Sequence, residues 1–311
     1  MAEMDLSYIN KRATEDAVGF ISECEARYKS FIGDLGRRVT DNAAIRIILL
    51  AGPSGSGKTT TANFLRDELN RLGLECHVIS LDDYYRDATD PQYPRTESGE
   101  RDFEAVGALN LADIESTLVA IADGDDFCVP RFDFKLGKRV DMRKYPKISH
   151  GCVIIEGLHA LNPKISEHLP SEKLLKIFIS VSTNINADGE RILSGRKLRF
   201  TRRMIRDSVY RGADAERTLE MWANVLEGED KYLYPYRHLA DVDFNTFHAF
   251  EPCVMHKYAE ALISNELAER EPYAKTVLSA LTRAASIDES LVPRDSLLRE
   301  FITGGIYEEF Y

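Results

Sequence analysis

The clearest chemical signal in the sequence is a glycine-rich loop that ends in a lysine and a threonine. Residues 52–59 read GPSGSGKT and match the pattern G-x-x-x-x-G-K-[ST]. Glycines let the backbone curl so that successive N–H groups point at phosphate oxygens, while Lys58 can reach the β- and γ-phosphates and Thr59 can bind Mg²⁺. The loop therefore predicts a nucleoside triphosphate site, and its predicted ligands are Gly52, Ser54, Gly55, Ser56, Gly57, Lys58, Thr59 and Thr60.

A pair of acidic residues follows the next apolar run of the chain. Asp82 and Asp83 stand in the segment SLDDYYR, directly after residues 76–80. In an open α/β sheet the carboxyl ends of the strands face the ligand crevice. A carboxylate there can orient an acceptor hydroxyl and take its proton, and positioning matters more than basicity because the transition state of phosphoryl transfer is usually loose. The alternative is a solvated Asp-Asp turn, and the position one strand from the phosphate loop favours the catalytic interpretation.

A third acid ends another apolar run. Residues 152–157 read CVIIEG, which resembles a Walker B strand with Glu156 at its end. Such an acid holds Mg²⁺ directly or through water. The alternative is a buried strand followed by a surface glutamate. We interpret Glu156 as a second metal ligand beside Thr59.

Positive charge is concentrated in residues 191–212. This stretch contains one acid, Asp207, and eight basic residues: Arg191, Arg196, Lys197, Arg199, Arg202, Arg203, Arg206 and Arg211. On a helix, Arg202 and Arg203 would share a face with Arg206. We interpret the stretch as an anion clamp and a lid that closes over the phosphates. A solvated basic face paired with acids elsewhere is the alternative.

The hydrophobic pattern predicts the elements that must position these groups. Nearly continuous apolar runs predict buried strands at residues 45–51, 76–80, 151–155, 174–181 and 242–244. Helical stretches alternate with them, notably at residues 59–71, 111–122 and 215–226. This alternation predicts an α/β fold of the P-loop NTPase type, with a doubly wound, mainly parallel sheet flanked by helices.

The remaining segments are predicted to be additions to that core. Residues 1–44 and 266–311 are interpreted as helical N- and C-terminal extensions, and residues 45–265 as the core that contains the lid. No linker rich in proline, glycine or serine separates a second domain.

Charge and cysteine usage restrict the class of protein. The 311 residues carry a formal net charge of −11, which would repel a long polyanion, so no nucleic-acid partner is expected. Five cysteines without a CxxC pair suit a reducing compartment. No apolar run approaches the roughly 20 residues that span a bilayer, and the N-terminus lacks the apolar segment of a secretion signal. We therefore expect a cytoplasmic protein without a membrane partner. The sequence leaves open whether the protein forms a homo-oligomer.

In order and spacing, these motifs resemble the uridine kinase and phosphoribulokinase family of P-loop kinases. The resemblance covers roughly residues 45–246 and rests on the segments GPSGSGKTT, SLDDYYR, DFEAVGALN, VPRFDFKLGKR, VIIEGLHALN and RRMIRDSVYRG. It implies ATP and Mg²⁺ as cofactors and a small-molecule acceptor, and it is closest to uridine kinase-like proteins.

The resemblance also implies residue roles. Asp82 takes the place of the catalytic carboxylate and would join Thr59 and Glu156 around the metal. The catalytic set it implies is Asp82, Lys58, Arg203 and Arg206. Glu104 stands where uridine kinases have an aspartate that holds the ribose hydroxyls. The implied acceptor-binding set is Asp82, Tyr85, Glu104, Phe132, Arg139 and Arg203.

Two positions depart from the family pattern. Phe132 replaces the usual tyrosine of the PxYDF motif, and Gly137 replaces the histidine that reads the pyrimidine edge. A site without these groups cannot discriminate the base by the usual hydrogen bonds. The sequence predicts transfer of the γ-phosphoryl of ATP to a hydroxyl, foremost the 5′-OH of a nucleoside. A sugar phosphate or other polyol is the alternative acceptor, and a regulatory nucleotide-binding protein is the more distant alternative.

Overall fold

A five-stranded parallel sheet lies at the centre of the computed structural model, which describes residues 2–96 and 99–310. The strands are β1 (Ala2–Asp5), β2 (Ile47–Ala51), β3 (Glu75–Ser80), β4 (Phe127–Asp133), β5 (Lys138–Tyr145), β6 (Gly151–Glu156), β7 (Leu174–Ser180), β8 (Thr183–Ala187), β9 (Glu190–Leu193) and β10 (Val242–Asn245). The helices are α1 (Leu6–Glu15), α2 (Ala17–Thr40), α3 (Lys58–Arg71), α4 (Leu111–Asp123), α5 (Pro163–Ser166), α6 (Gly195–Arg211), α7 (Ala215–Tyr232), α8 (Glu251–Leu262), α9 (Asn265–Arg270), α10 (Pro272–Leu281) and α11 (Arg299–Ile302).

The central sheet has the strand order β10-β7-β2-β6-β3, and every neighbouring pair in it is parallel. All five strands expected from the apolar runs are present, within one to two residues of the predicted bounds. The three predicted helices correspond to α3, α4 and α7. The prediction of a doubly wound α/β fold is therefore confirmed.

Both faces of the sheet are buried, which explains the continuous apolar run of β2. Ile47 and Leu49 pack on one side in a cluster that includes side chains of α4. Ile48 and Leu50 pack on the other side against α2 and α3. Because successive side chains of a strand point to opposite faces, a strand covered by helices on both sides must be apolar throughout.

Two smaller sheets were not predicted. β4 and β5 form an antiparallel hairpin whose strands are rich in charged residues, and β1, β8 and β9 form a three-stranded sheet. The predicted helical extension at residues 1–44 contains α1 and α2, but Ala2–Asp5 before them is a strand, which pairs in parallel with residues 183–186. The N-terminal strand gains its backbone hydrogen bonds from a segment about 180 positions away in the sequence, so no local pattern signals it.

Apolar residues of both terminal segments pack in one cluster with α6, α7 and α8. Phe20 of α2, Trp222 of α7 and Phe301 of α11 all belong to it. The boundaries at residues 44 and 265 stay a prediction, and the chain ends, residues 1 and 311, lie outside the described residues. Within residues 2–96 and 99–310, no helix has both the length and the apolar character to cross a membrane.

Candidate active site

The glycine-rich loop connects the central strand β2 to the first turn of α3. Gly55 and Gly57 have φ angles of +72° and +88°, which side chains other than glycine rarely adopt. A Cβ on Gly55 would also lie 2.7 Å from the carbonyl oxygen of Arg199. The loop therefore needs glycine at both positions, for backbone conformation and for close approach to α6.

A buried ion pair contacts the backbone of the loop and stabilises it. The guanidinium of Arg199 lies 2.7 Å from the carboxylate of Glu229 on α7, and both side chains are at most 1% exposed. The same carboxylate accepts a hydrogen bond from the N–H of Ser54 at 2.9 Å, and Arg199 donates to the carbonyl of Ser54 at 2.9 Å. A buried pair with its remaining hydrogen bonds satisfied fixes the loop backbone in one geometry.

A second buried pair corrects one expectation about the basic stretch. Arg202 does not face the cavity together with Arg203 and Arg206. Its side chain is fully buried and lies 2.6 Å from the carboxylate of Glu251 of α8. It donates to the carbonyl of Gly55 at 3.2 Å. Arg199 and Arg202 thus support the phosphate loop, and only part of the predicted anion clamp faces the site.

The functional side chains surround a cavity of about 220 Å³ at the carboxyl ends of β2, β3 and β6. Most of the predicted site residues line it: Ser54, Gly55, Gly57, Lys58, Thr59, Asp82, Tyr85, Glu104, Glu156, Arg203 and Arg206. Residues from distant parts of the sequence, such as Ser54 and Arg206, therefore meet at one sheet edge. The topology places them there because all strands of the central sheet run in the same direction.

The two adjacent aspartates have different surroundings. Asp82 lines the cavity and is accessible from it. The protein atoms around it desolvate its carboxyl and raise its pKa, and the nearby Lys58 ammonium partly opposes that rise. Asp83 instead binds Arg143 of β5 and accepts a hydrogen bond from the N–H of Phe132 at 3.2 Å. Asp83 therefore anchors the β4–β5 hairpin, whereas the carboxylate of Asp82 faces the cavity.

Glu156, Thr59 and Asp82 offer oxygen atoms to the same cavity. Glu156 is 7% exposed, and burial raises the pKa of its carboxyl to about 7 even though Lys58 counteracts the rise. In the described part of the chain no three acidic, histidine or cysteine side chains cluster as a ready-made metal site. A hydroxyl and two carboxylates suit Mg²⁺, which usually takes one or two protein carboxylates and completes its shell with phosphates and water. The donor set fits the predicted metal.

The wall opposite the loop is formed by polar groups from two connecting segments. Glu104 is partly buried, and desolvation raises the pKa of its carboxyl to about 7, with Arg203 opposing the rise. Burial lowers the pKa of His159 to about 4, so this imidazole is neutral at physiological pH. The hydroxyl of Tyr85 donates to the carbonyl of Phe103 at 3.1 Å, which orders the segment that carries Glu104.

Some predicted residues lie outside the cavity. Gly52 and Ser56 belong to the loop but do not line the cavity. The ring of Phe132 packs against the ring of Tyr85, with 5.8 Å between the ring centroids. Arg139 pairs with Asp113 at the start of α4, so the acceptor-binding role implied for it is not supported by this geometry. The hydroxyl of Thr60 donates a hydrogen bond to the side-chain carboxylate of Glu300, which itself lines the cavity.

The arginines of α6 that do face the site are grouped around one buried acid. Arg203 and Arg211 each lie 3.1 Å from the carboxylate of Asp207, which is 2% exposed, and Arg203 also donates to the hydroxyl of Ser54 at 3.0 Å. One acid shared among several cations leaves a net positive wall beside the phosphate loop.

Three polar or charged lining residues were missed as site residues: His159, Arg211 and Glu300. Arg211 belongs to the basic stretch and could have been found there. His159 is the last residue of the EGLH segment and gave only a weak signal. Glu300 belongs to the C-terminal segment, whose local sequence contains nothing that indicates a nucleotide site.

Sequence and structure comparisons relate the chain to known proteins. The sequence model of the Phosphoribulokinase / Uridine kinase family matches residues 47–250, which is more than half of the chain. "Uridine kinase-like protein 5" of Arabidopsis thaliana is 24% identical over 198 residues, covering 63% of this chain and 38% of the relative. The "Uridine kinase" of Staphylococcus aureus strain JH9 is 26% identical over 200 residues, covering 64% of this chain and 86% of the relative.

A solved structure supports the same fold. The "putative fructose transport system kinase" of Silicibacter sp. TM1040 has a TM-score of 0.50 and 17% identity, covering 68% of this chain and 98% of that one. The matched region spans well under half the length of the Arabidopsis relative, so that relative contains much sequence with no counterpart here. Because the family match covers the loop, the acidic strand ends and the basic helix, the chain belongs to the phosphoribulokinase and uridine kinase family.

Proposed function

We propose that this protein is a kinase that transfers the γ-phosphoryl group of ATP to a hydroxyl of a small molecule. The observation that carries the proposal is the meeting of Lys58, Thr59 and Asp82 around one cavity at the carboxyl edge of the sheet. A phosphate cradle alone would serve any nucleotide-binding protein. A carboxylate across the same cavity supplies the acceptor half of a transfer reaction.

On the donor side, the loop N–H groups and the first turn of α3 bind the phosphates. Lys58 now donates to the carbonyl of Pro53 at 3.3 Å, so its ammonium is already held beside the loop. Arg203 and Arg206 neutralise charge on the transferring group. Thr59, Glu156 and Asp82 would hold Mg²⁺, which would supply neutralisation of the negative charge on the phosphates.

On the acceptor side, Asp82 accepts a hydrogen bond from the attacking hydroxyl and takes its proton as the new P–O bond forms. The bond between the γ-phosphorus and the bridging oxygen of ADP breaks in the same step. The elevated pKa of Asp82 suits a group that receives a proton in a partly desolvated site. Glu104 and Tyr85 position the rest of the acceptor.

The first candidate acceptor is a nucleoside, phosphorylated at its 5′-OH. It is supported by the uridine kinases among the relatives and by Glu104, which can accept hydrogen bonds from a vicinal diol. The second candidate is a sugar phosphate or other polyol. It is supported by Phe132 and Gly137, which offer no side-chain hydrogen bond to a base, and by Arg211, which could bind an acceptor anion.

An acceptor screen tests the proposal. Purified protein with ATP and Mg²⁺ is assayed for ADP release in the presence of nucleosides, free sugars and sugar phosphates in turn. ADP release that depends on one acceptor class supports the proposed transfer and selects between the two candidates. Nucleotide binding without turnover on any acceptor would instead favour a regulatory nucleotide-binding protein.

A further inference from the structure

The C-terminal segment 293–302 returns to the phosphate loop from outside the kinase core. Leu297 packs so closely that its Cδ1 atom would lie 2.7 Å from a Cβ on Gly57. Leu297, Phe301 and Ile302 are completely buried. Between these apolar residues stands Glu300, a carboxylate that is 3% exposed and lines the same cavity as Lys58 and Asp82.

The carboxylate of Glu300 contacts two groups that the proposed function assigns to the nucleotide. One oxygen accepts a hydrogen bond from the hydroxyl of Thr60 at 2.7 Å and lies 3.4 Å from the Thr60 backbone nitrogen. The other oxygen lies 3.2 Å from the guanidinium of Arg206. Thr60 is the third residue of α3, so its N–H belongs to the helix turn that binds anions.

We propose that the segment 293–302 is an autoinhibitory strap whose Glu300 carboxylate occupies a phosphate-binding position of the nucleotide site. The inference rests on the proposed function, in that it takes the loop and α3 to be the phosphate cradle. A phosphate oxygen and the Glu300 carboxylate compete for Thr60 and Arg206. A triphosphate must therefore move this side chain aside, and it meets the repulsion of a fixed negative charge before it does so.

The strap is anchored by residues other than Glu300, so displacement of the Glu300 side chain alone would leave these anchoring contacts in place. The hydroxyl of Ser296 donates to Glu25 of α2, and the N–H of Leu298 donates to the Ser296 hydroxyl at 3.1 Å. Asp295 pairs with Lys29 at 2.6 Å on the surface. The apolar side chains hold the strap in the core, which makes deletion of the segment unsuitable as a test.

The test compares the affinity of the full-length protein for Mg-ADP and for a non-hydrolysable Mg-ATP analogue by calorimetry. Glu300→Gln removes the competing charge and keeps the side-chain shape. Glu300→Asp keeps the charge but draws the carboxylate back by one methylene from both Thr60 and Arg206. We expect about tenfold tighter binding of the ATP analogue to Glu300→Gln and a smaller gain for Glu300→Asp, because a like charge is removed from or shifted within the cradle.

The matched control, Asp295→Asn, removes a carboxylate from the same strap and should leave the affinity within about twofold.

The outcomes separate the inference from the proposed function. If the wild type and Glu300→Gln bind the analogue equally, or if the variant binds more weakly, the autoinhibitory strap is overturned while the nucleotide site stands. If no variant binds either nucleotide, the proposed function itself fails. Should Glu300→Gln not fold, as judged by circular dichroism, Glu300→Asp carries the test, and unchanged affinity in that variant overturns the inference.

Discussion

The two walls of the cavity are held in place by different kinds of interaction. The phosphate side is fixed by the buried pairs Arg199–Glu229 and Arg202–Glu251, whose side chains are at most 1% exposed. The acceptor side is held by pairs nearer to solvent, such as Arg139–Asp113, whose side chains are 32% and 35% exposed. Aromatic contacts supplement these pairs, including the one between Tyr85 and Phe132.

This difference in anchoring matches what the proposed phosphoryl transfer would require of the two walls. Phosphoryl transfer requires the cradle to be preorganised, and a rigid cradle needs neighbours that are equally fixed. An acceptor pocket built from connecting segments and a solvent-facing hairpin tolerates substitution at lower cost. The departures at Phe132 and Gly137 both belong to the β4–β5 hairpin, which contacts this second wall through the ring of Tyr85.

The largest effect is expected where the two walls meet. Asp82→Asn retains the shape of the side chain and removes the proton acceptor, so kcat should fall about 10²- to 10⁴-fold with little change in ATP affinity. Steady-state kinetics with the acceptor from the screen measures it. Asp83→Asn is the matched control, since Asp83 binds Arg143 outside the cavity. A severe loss of kcat in Asp83→Asn with a benign Asp82→Asn would show that the two roles are reversed.

The contrast in anchoring can be tested by stability. Glu229→Gln leaves the Arg199 guanidinium buried without a counter-charge, so the free energy of unfolding should drop by about 3–5 kcal/mol. Asp113→Asn breaks the partly exposed pair with Arg139 and should cost at most about 1 kcal/mol. Urea denaturation of both variants gives the comparison. Equal losses would mean that the two walls are anchored with similar strength.

Removing the lysine of the loop tests the phosphate wall alone. Lys58→Ala deletes a charge that stabilises the transferring phosphates, and turnover should fall about a hundredfold or more, which corresponds to about 3 kcal/mol. The protein should remain folded, because among the residues that the structure describes the Lys58 ammonium has a single hydrogen-bond acceptor, the carbonyl of Pro53. Near-normal turnover in this variant would refute the assignment of the loop as the donor site.

The smallest effect is expected on the acceptor wall. Phe132→Tyr restores a hydroxyl near Tyr85, and one neutral hydrogen bond contributes about 0.5–1.5 kcal/mol, so kcat/KM for uridine should rise about 2- to 10-fold relative to a non-nucleoside acceptor. Restoring the histidine is less informative, because Gly137 has a φ of +62° and a Cβ there would lie 3.1 Å from that of Ala88. Unchanged selectivity in Phe132→Tyr would place base recognition on other residues.

The sequence alone determined the sheet and the core of the donor site. The run that forms β2 must be buried on both faces because none of its residues is polar, and the loop that follows it matches a phosphate cradle residue by residue. Both signals are local, since they depend on neighbours within a few positions. The same is true of Glu156 at the end of its strand.

Only the tertiary structure decided what the charged residues do. Arg202 and Arg203 are adjacent in the sequence, yet one is buried against Glu251 and the other lines the cavity, because neighbouring residues of a helix point in different directions. Asp82 and Asp83 are separated in the same way by the hairpin that binds Asp83. Glu300 reaches Thr60 across 240 positions of sequence, and such a contact depends on packing of apolar neighbours that carry no information about the partner.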